Sequence, residues 1–476
     1  MGTSAMSIAK LFFHNVQKNP KKTALIFNDN AISYGDLSKM VCQISANIKD
    51  AKNVHIAVLL ENSIEFAALL ISAAQTGAVL VPFPATMSSS QLEHLFKKNS
   101  IDFFIGDHSF KDIKKLEILE RKPPLTDILN DDIDNNYIIV STSGSTSEPK
   151  PIVLTQSIKL KRIEIACKTY GLDSSDTILV STPMHHSLAQ RGVLLGLTLG
   201  ATVVLMDRFS PAKYLETIEL TRATFSFSVS NQLESIVDFI DQYNVSSIKK
   251  MVSSSYAIKP EVKNRLLNYF DIHECYGTSE VGCVTELAPK DLNEHLESVG
   301  KPMDGIEIKI LDPNEQGIGE IAVKSPWKFK EYYELLEITH ESFEDGYFKT
   351  GDLGVLKDGF LYYTGRKKEM IKTGGISVYP MDIEKVIKEV DGVDEVAVIG
   401  IEDSYFGEAV IAVFTGTAKI ADIRSVAKEK LLSYQQPLFY DRVDALPKNS
   451  LGKLQKFKLK EKYKNLDLGR RLKGLL

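Results

Sequence analysis

The sequence predicts an α/β protein. We expect a large N-terminal domain of βαβ subdomains with parallel sheets, an antiparallel β subdomain, and a small, mobile α+β C-terminal domain. Apolar strand segments alternate with amphipathic helical segments as far as Val229, which is typical of parallel sheets covered by helices. Shorter alternating segments with glycine turns follow from about residue 298, and a smaller strand–helix unit begins at Lys368.

Composition limits the function classes. The chain has 476 residues, 43% hydrophobic and 25% charged, which suits a globular protein of two or three domains. A net charge of −5 argues against a nucleic-acid-binding protein. Four cysteines without metal-ligand spacing are expected to be reduced thiols. Residues 1–5 resemble an expression leader, and no signal peptide follows, so we expect a cytoplasmic location.

The first helix–strand units follow from caps and periodicity. Ser33 and Asp36 predict a capped helix start, followed by an apolar face at helical spacing. A strand is predicted over residues 55–60, a helix over 62–75 that Gly77 ends, and a strand over 78–83. The polar and helix-ending residues within 66–83 argue against a membrane span there. Ser90 and Glu93 predict a second capping box.

The same alternation returns later in the chain. We expect strands over 177–181, 201–206 and 223–229, and helices over 188–199 and 211–221, with Gly200 between two of them. The antiparallel part is predicted from segments 306–311 and 320–323 and from a hairpin over 355–363 around Lys357-Asp358-Gly359. The last unit should contain helices over 383–390 and 420–432 and strands over 393–401 and 409–415. We therefore divide the chain into domains 7–367 and 368–476.

A hydroxyl-rich loop carries the strongest functional signal. An apolar strand runs into Ser-Thr-Ser-Gly-Ser-Thr-Ser-Glu-Pro-Lys over residues 141–150. Hydroxyls and a glycine-containing backbone supply many donors for phosphate oxygens, and Lys150 adds a point charge. The loop is not a Walker P-loop, because GxxxxGK[ST] is absent and prolines oppose an immediate helix. Taken alone, the composition also fits an ordinary polar loop.

This loop resembles the phosphate-loop signature of the AMP-forming adenylating enzymes. That superfamily contains acyl-CoA synthetases, adenylation domains of nonribosomal peptide synthetases and firefly-type luciferases, and the chain is most similar to acyl-CoA synthetases. Further motifs follow in the family's order, so the resemblance covers about residues 10–460. It implies that ATP is bound through Thr142, Ser143, Gly144, Ser145, Thr146 and Lys150.

The segment Tyr276-Gly277-Thr278-Ser279-Glu280 resembles the next family motif. An aromatic ring beside glycine can stack on adenine, a hydroxyl can meet the α-phosphate, and a carboxylate can hold Mg²⁺. The resemblance assigns these roles to Tyr276, Ser279 and Glu280, with Gly277 and Thr278 in the nucleotide site. Outside this family, such a segment is more often a simple turn.

Two further motifs flank the predicted hairpin. Thr350-Gly351-Asp352 precedes it, and the family uses the matching aspartate as its ribose anchor. Gly365-Arg366-Lys367-Lys368-Glu369 follows it. Arg366 can donate to ribose or phosphate, and Lys368 stands at the family's hinge, the pivot of the small domain.

The remaining motifs implicate both half-reactions. Gly374 lies in a segment similar to the family's mobile loop, which lines the thiol tunnel after domain rotation. Lys453 matches the catalytic lysine of the first half-reaction. His186 resembles the gate between the carboxylate and thiol sites, with His185 the weaker candidate. The catalytic set implied by the resemblance is Lys453, Glu280, Ser279 and His186.

The resemblance implies ATP-dependent activation of a carboxylic acid. A carboxylate oxygen attacks the α-phosphorus of ATP, pyrophosphate leaves with Mg²⁺, and a thiol then displaces AMP. The expected acceptor is coenzyme A. Alternatives are a stand-alone adenylation protein that loads a carrier-protein phosphopantetheine, and a nucleotide-sensing module that has lost catalysis.

Departures from the family bear on the substrate. Tyr256 stands where the family usually has a small residue, which disfavours a long, straight acyl chain. No aspartate accompanies His185 and His186, which favours a simple organic or fatty acid over an amino acid, because an unpaired buried ammonium is costly. The tail lysines either help to bind coenzyme A phosphates or lie on a solvated helix: Lys456, Lys458, Lys460, Lys462 and Lys464.

Overall fold

The computed structural model describes residues 6–141, 150–292, 294–449, 452–466 and 468. Within these ranges, no helix is long and apolar enough to span a bilayer. The α-helices are α1 Ile8–Lys18, α2 Tyr34–Ile48, α3 Ile64–Thr76, α4 Ser89–Lys98, α5 Gln156–Tyr170, α6 Ser187–Leu199, α7 Pro211–Thr221, α8 Ser230–Ile236, α9 Pro260–Leu266, α10 Leu336–Glu341, α11 Pro380–Lys388, α12 Ile420–Lys430 and α13 Lys456–Tyr463.

The strands make up four sheets. They are β1 Thr23–Phe27, β2 Asn30–Ser33, β3 His55–Leu59, β4 Val79–Pro82, β5 Phe103–Gly106, β6 Lys114–Lys115, β7 Asn136–Ser141, β8 Pro151–Thr155, β9 Thr177–Val180, β10 Thr202–Leu205, β11 Phe225–Val229, β12 Lys250–Ser254, β13 Asp271–Thr278, β14 Gly282–Leu287, β15 Lys301–Pro302, β16 Glu307–Leu311, β17 Gly319–Lys324, β18 Phe343–Glu344, β19 Tyr347–Lys357, β20 Phe360–Arg366, β21 Ile371–Thr373, β22 Ile376–Val378, β23 Val393–Asp403, β24 Gly407–Gly416 and β25 Phe439–Arg442.

Two largely parallel sheets form the framework of the N-terminal part. One has the order β15-β14-β13-β12-β11-β9-β10-β1-β2, in which the strands from β13 to β1 are parallel and both edges are antiparallel. The other has the order β6-β5-β3-β4-β7-β8, with only β8 antiparallel. The central strands are buried, as expected for sheets with both faces covered. The predicted parallel sheets are confirmed.

The later sheets are mainly antiparallel. The first has the order β16-β17-β19-β18, with β20 paired to β19. Asp358 and Gly359 both have positive φ, 51° and 80°, at the turn of the predicted hairpin, which suits the right-handed twist of paired strands. The second has the order β22-β21-β24-β23, with β25 parallel to β24. Apolar clusters cover both faces of this second sheet.

The chain forms two compact units. The described residues of the first are 6–141, 150–306 without 293, and 324–343; those of the second are 307–323 and the residues from 344 onward. The antiparallel strands β16, β19 and β20 are therefore grouped with the C-terminal part. The boundary at residues 367/368 stays a prediction.

Local start and stop signals explain most helix bounds. Ser33 Oγ accepts a hydrogen bond from Asp36 N at the start of α2, and Gly77 and Gly200 end α3 and α6 with positive φ. The capping box predicted at Ser90 is wrong. The N-cap of α4 lies two residues earlier, at Ser88. There Ser88 Oγ accepts from Gln91 N and Gln91 Oε1 accepts from Ser88 N. Both positions fit the S-x-x-E/Q pattern, but Ser88 is the residue with extended backbone.

Candidate active site

Arg162 fixes the turn that carries two predicted catalytic residues. Its Nη2 donates to the carbonyl oxygens of Ser279 and Glu280 at 3.0 and 3.1 Å, and its Nε donates to the Trp327 carbonyl at 3.1 Å. Arg162 lies on the buried face of α5 and is only 3% exposed. The guanidinium thus satisfies three backbone acceptors and orients the Ser279–Glu280 turn between β13 and β14.

Tyr332 links Lys150, the predicted phosphate-binding cation, with Glu280, the predicted Mg²⁺ ligand. Its hydroxyl donates to Glu280 Oε1 at 3.0 Å, and Lys150 Nζ lies 4.7 Å from its ring centroid. Burial and the Glu280 carboxylate raise the pKa of Tyr332, so the phenol stays protonated and acts as a donor. Backbone hydrogen bonds align this segment with β8, from Lys330 N to Val153 O and from Tyr333 N to Pro151 O.

The adenine motif lies at the irregular end of β13. The register with β14 shifts between Tyr276 and Gly277, and a side chain at Gly277 would collide with the carbonyl of Gly282. Only glycine fits this approach. Thr278 Oγ1 accepts from Val281 N at 3.4 Å, while the Tyr276 side chain stays partly exposed. The predicted stacking role of Tyr276 stays a prediction.

A disulfide brackets this motif. Cys275 and Cys283 are joined across β13 and β14, with their Cα atoms 6.2 Å apart, so the expectation of reduced thiols is wrong for these two residues. The pairing places Gly277 opposite Cys283, and Cys275 lies two positions along the same strand. Sequence reasoning missed the pair because it needs the strand register. Cys42 and Cys167 are free.

The two adjacent histidines lie in a turn that a buried asparagine holds. Asn62 Nδ2 donates to the carbonyls of Thr182 and Met206, and Asn62 Oδ1 accepts from Met184 N at 2.7 Å. His186 is the residue that precedes α6. Burial lowers the pKa of His185 to about 4, and burial with a smaller contribution from His185 lowers the pKa of His186 to about 3. Both rings are therefore neutral at pH 7 and available as hydrogen-bonding groups.

Part of the predicted nucleotide site lies outside the described residues. This applies to the hydroxyl-rich loop, namely Thr142, Ser143, Gly144, Ser145 and Thr146. Lys150, the residue immediately before β8, is described and packs on the Tyr332 ring. The first unit thus brings together Lys150, Glu280 and the Ser279 backbone.

In the second unit, Asp352 and Arg366 are directly opposed on β19 and β20. Arg366 Nε lies 3.5 Å from Asp352 Oδ1, and Asp352 is 5% exposed. Burial lowers the pKa of Arg366, but the Asp352 and Glu369 carboxylates and the Tyr363 phenol outweigh this effect, so the pKa is raised. The cross-strand pair therefore offers a fixed carboxylate next to a fixed donor fork, which suits a diol or phosphate ligand.

The other predicted residues of this unit lie on turns. Gly374 and Gly375, with φ of 57° and 81°, form the turn between β21 and β22. Lys368 is exposed in the short 3₁₀ helix Lys367–Glu369. Lys453 N donates to Asn449 Oδ1, and Asn449 N donates to the Lys453 carbonyl, both at 2.9 Å. The catalytic, thiol-loop and hinge roles stay predictions.

The tail lysines are mostly engaged with carboxylates. Lys456 Nζ lies 2.7 Å from a carboxylate oxygen of Glu384 and 3.4 Å from one of Glu369. The other ion pairs are Lys460 with Glu408, Lys462 with Asp441, and Lys464 with Glu461. Lys458 makes no such pair with a described residue. This helix is therefore anchored by ion pairs and is not a free cationic patch.

The residues present suit Mg²⁺ if ATP supplies the remaining ligands. The described residues contain no group of three or more metal-ligating side chains. Glu280 Oε2, however, has no hydrogen-bond donor among the described residues, because Tyr332 uses only Oε1. Mg²⁺ in nucleotide sites takes one or two carboxylates together with phosphate oxygens and water. Glu280 therefore suits a metal ion that arrives with ATP.

Tyr332, Arg162 and Asn62 were missed by sequence reasoning. Arg162 had a usable signal, because helical spacing places it with Ile163, Ala166 and Tyr170 on the buried side of α5. Tyr332 had none, since its contact with Glu280 spans 52 positions.

Comparisons with known proteins agree with the motifs. The sequence model described as AMP-binding enzyme matches residues 12–333, and the one described as AMP-binding enzyme C-terminal domain matches residues 382–453. The uncharacterized acyl–CoA ligase YhfT of Bacillus subtilis is 27% identical, over 96% of this chain and 98% of that protein. The 2-succinylbenzoate–CoA ligase of the same organism is 27% identical, over 94% and 96%. The O-succinylbenzoate coenzyme A synthetase structure from Bacillus subtilis with ATP and magnesium ion has a TM-score of 0.86 and 26% identity, covering 94% and 99%.

Proposed function

Because this chain belongs to the AMP-binding enzyme family, we propose that it joins a non-amino organic acid to AMP and then transfers the acyl group to coenzyme A. Its class, an AMP-forming acid–thiol ligase, is that of its relatives. The acid, the acceptor and the residue roles are the proposal. The single observation that carries it is the Lys150–Tyr332–Glu280 arrangement, in which a cation and a carboxylate are held on one buried phenol.

The first step requires charge neutralisation. The attacking carboxylate and ATP are both anions, so cationic groups must lower the repulsion between them. We assign Lys150 to the phosphates, Glu280 to the Mg²⁺ that ATP brings, and Lys453 to the charge that develops at the α-phosphorus. Bound Mg²⁺ would offset the charge of the departing pyrophosphate. A carboxylate oxygen forms the bond to the α-phosphorus, and the bond to pyrophosphate breaks.

The second step needs a different set of residues. A thiol adds to the acyl carbon, AMP leaves, and the thiol proton passes to solvent or to a base. We assign the loop at Gly374 to the thiol and neutral His186 to the boundary between the acid and thiol sites. Asp352 and Arg366 hold the ribose. We keep the domain boundary and its hinge at Lys368 as a prediction; residue 368 falls between the two matched family segments, 12–333 and 382–453.

A carrier-protein phosphopantetheine is the alternative acceptor. The lysines of α13 are ion-paired and offer little free charge for coenzyme A phosphates. This observation supports the carrier protein as the alternative acceptor. A cytoplasmic location is likewise a prediction from the sequence.

The test is a panel of acids with ATP and Mg²⁺, scored for pyrophosphate release with and without coenzyme A. Multiple turnovers that require coenzyme A support the proposal. Release limited to about one turnover, unaffected by coenzyme A, favours the carrier protein. Retained ATP binding with no acid-dependent release from a broad panel contradicts catalysis.

Two variants separate the half-reactions. Lys453→Ala should abolish acid-dependent pyrophosphate release and still allow thioester formation from a synthetic acyl-adenylate and coenzyme A. Lys458→Ala is the matched control, because Lys458 is exposed and unpaired among the described residues of the same region. If both variants behave alike, the role assigned to Lys453 is wrong.

A further inference from the structure

Helices α5 and α6 place three cations on their inward sides. Lys159 and Arg162, one turn apart on α5, are each 3% exposed, and Arg191 of α6 is partly exposed. The three are close enough to repel one another. Burial and the charges of Arg162 and Arg191 lower the pKa of Lys159 well below its usual value. Cations on the buried face of a helix are uncommon and require a compensating partner.

Among the described residues, the hydrogen bonds of these cations go to neutral groups, and the Glu280 carboxylate only partly offsets the effect of burial on the pKa of Arg162. Lys159 Nζ donates to Gln190 Oε1 at 2.8 Å and to Ser187 Oγ at 3.3 Å. Arg162 donates to backbone carbonyls, and Arg191 stacks on the Phe227 ring at 5.5 Å from its centroid. Among the described residues, none of the three cations forms an ion pair with a carboxylate. An unpaired buried charge is costly, and a bound anion would supply the missing partner and bring the pKa of Lys159 back towards its usual value.

The cluster adjoins both sides of the predicted acyl site. Ser187, which accepts from Lys159, directly follows His186. Arg162 holds the carbonyls of Ser279 and Glu280. A ligand bound at this cluster therefore lies next to the residues assigned to carboxylate activation.

The surroundings favour the acid over the nucleotide phosphates. Arg191 packs on Phe227, whose ring contacts those of Phe225 and Tyr170 at centroid distances of 4.8 and 6.3 Å. Lys150, the charge assigned to the phosphates, packs instead on Tyr332. Aromatic surface combined with unpaired cations suits an organic skeleton that ends in an anionic group.

We propose that the acid activated by this chain carries a second anionic group, as a dicarboxylate does, and that Lys159 and Arg191 bind this group. Arg162, committed to three backbone carbonyls, adds its charge and holds the adjacent turn. This inference rests on the proposed adenylation of an acid. It agrees with the prediction that the substrate is not an amino acid, since an ammonium group at this cluster would be repelled by its cations.

Matched pairs of acids test the proposal. One pair is 2-succinylbenzoate and 4-oxo-4-phenylbutanoate, which has the same skeleton without the ring carboxylate; the other is adipate and hexanoate. ATP–pyrophosphate exchange gives kcat/KM for each acid. A charge-assisted contact is worth at least about tenfold, so the diacid of at least one pair should be favoured by about that factor.

Variants then locate the preference. Arg191→Gln and Lys159→Gln should each lower kcat/KM for the preferred diacid by about 10-fold or more, while the values for the matched monoacid and the KM for ATP change less than about threefold. Arg191→Lys should recover part of the loss, because the charge remains. The control is Arg208→Gln, an exposed arginine outside the cluster.

The outcomes separate the two proposals. Equal or better use of the monoacids in both pairs overturns the second-anion inference and leaves adenylation intact. An increase in the KM for ATP, with the acid preference unchanged, assigns the cations to the nucleotide and overturns it as well. If no acid supports exchange, the proposed adenylation fails and the change in Tm on adding a diacid tests the anion site alone. A rise in the Tm of the wild type that is lost in Arg191→Gln supports the anion site. No rise in Tm refutes the anion site as well.

Discussion

Removing the Tyr332 hydroxyl should weaken the handling of MgATP without disturbing the fold. In Tyr332→Phe the ring remains, so the contact with Lys150 is kept, while the hydrogen bond to Glu280 Oε1 is lost together with the weaker interaction of the hydroxyl with Ser342. The residue is 3% exposed, so water has limited access to replace the phenol. Glu280 then loses the donor that fixes its orientation.

The magnitude follows from the type of contact. A hydrogen bond to a charged group contributes about 1.5–3 kcal/mol, and partners that orient metal ligands typically account for about 10- to 100-fold in metal affinity or activity. We therefore expect the Mg²⁺ concentration for half-maximal pyrophosphate exchange to rise about tenfold or more. Calorimetric binding of MgATP should weaken to a similar degree, and this measurement does not require the identity of the acid.

The neighbouring tyrosine provides the control. Tyr333→Phe removes the hydroxyl of a ring that packs on His55, with the ring centroids 4.8 Å apart, and not on Glu280. It should leave the Mg²⁺ dependence unchanged. The reasoning is refuted if Tyr332→Phe keeps its Mg²⁺ dependence and MgATP affinity within twofold of wild type, or if both variants lose affinity equally.

Three further predictions concern the surroundings of the site. Asn62→Ala leaves two carbonyls and one N–H without their buried partner, so the free energy of unfolding in urea should fall by at least about 2 kcal/mol. The control is Asn264→Ala, at an exposed helix position. An equal loss of stability in the two variants contradicts the prediction. Because folding lowers the pKa values of His185 and His186 to about 4 and about 3, the unfolded chain takes up protons first as pH falls below about 6.5. The stability contributed by the two neutral histidines is thus complete above that pH and is lost as the pH approaches 3. The double variant His185→Gln/His186→Gln should therefore show a flatter dependence of Tm on pH between 6.5 and 4. Curves of Tm against pH that run parallel for wild type and variant would contradict the lowered pKa values. Thiol titration of the unfolded, unreduced chain should find two thiols, Cys42 and Cys167, and four after reduction; four before reduction would mean that Cys275 and Cys283 are not bonded in solution.

Sequence patterns predicted what is determined locally. The helix over Pro211–Thr221 was predicted to the residue, because Ser210 caps it, proline begins it and apolar periodicity fills it. The capping box near Ser90 failed because two overlapping patterns, Ser88–Gln91 and Ser90–Glu93, compete within six residues. The motif residues followed from the family resemblance, whereas Arg162 and Tyr332 depend on contacts across 118 and 52 positions. The disulfide needs a strand register that no local pattern specifies.

Arg162 connects the nucleotide part of the site with the acid part. The same guanidinium holds the Ser279–Glu280 turn and contributes to the repulsion felt by Lys159. An anion that enters the cluster relieves this repulsion, and it does so at a side chain already tied to the Mg²⁺ and α-phosphate motif. Because both ligands then interact with one buried charge, their binding should be coupled, and by thermodynamic reciprocity each should change the affinity for the other by the same factor.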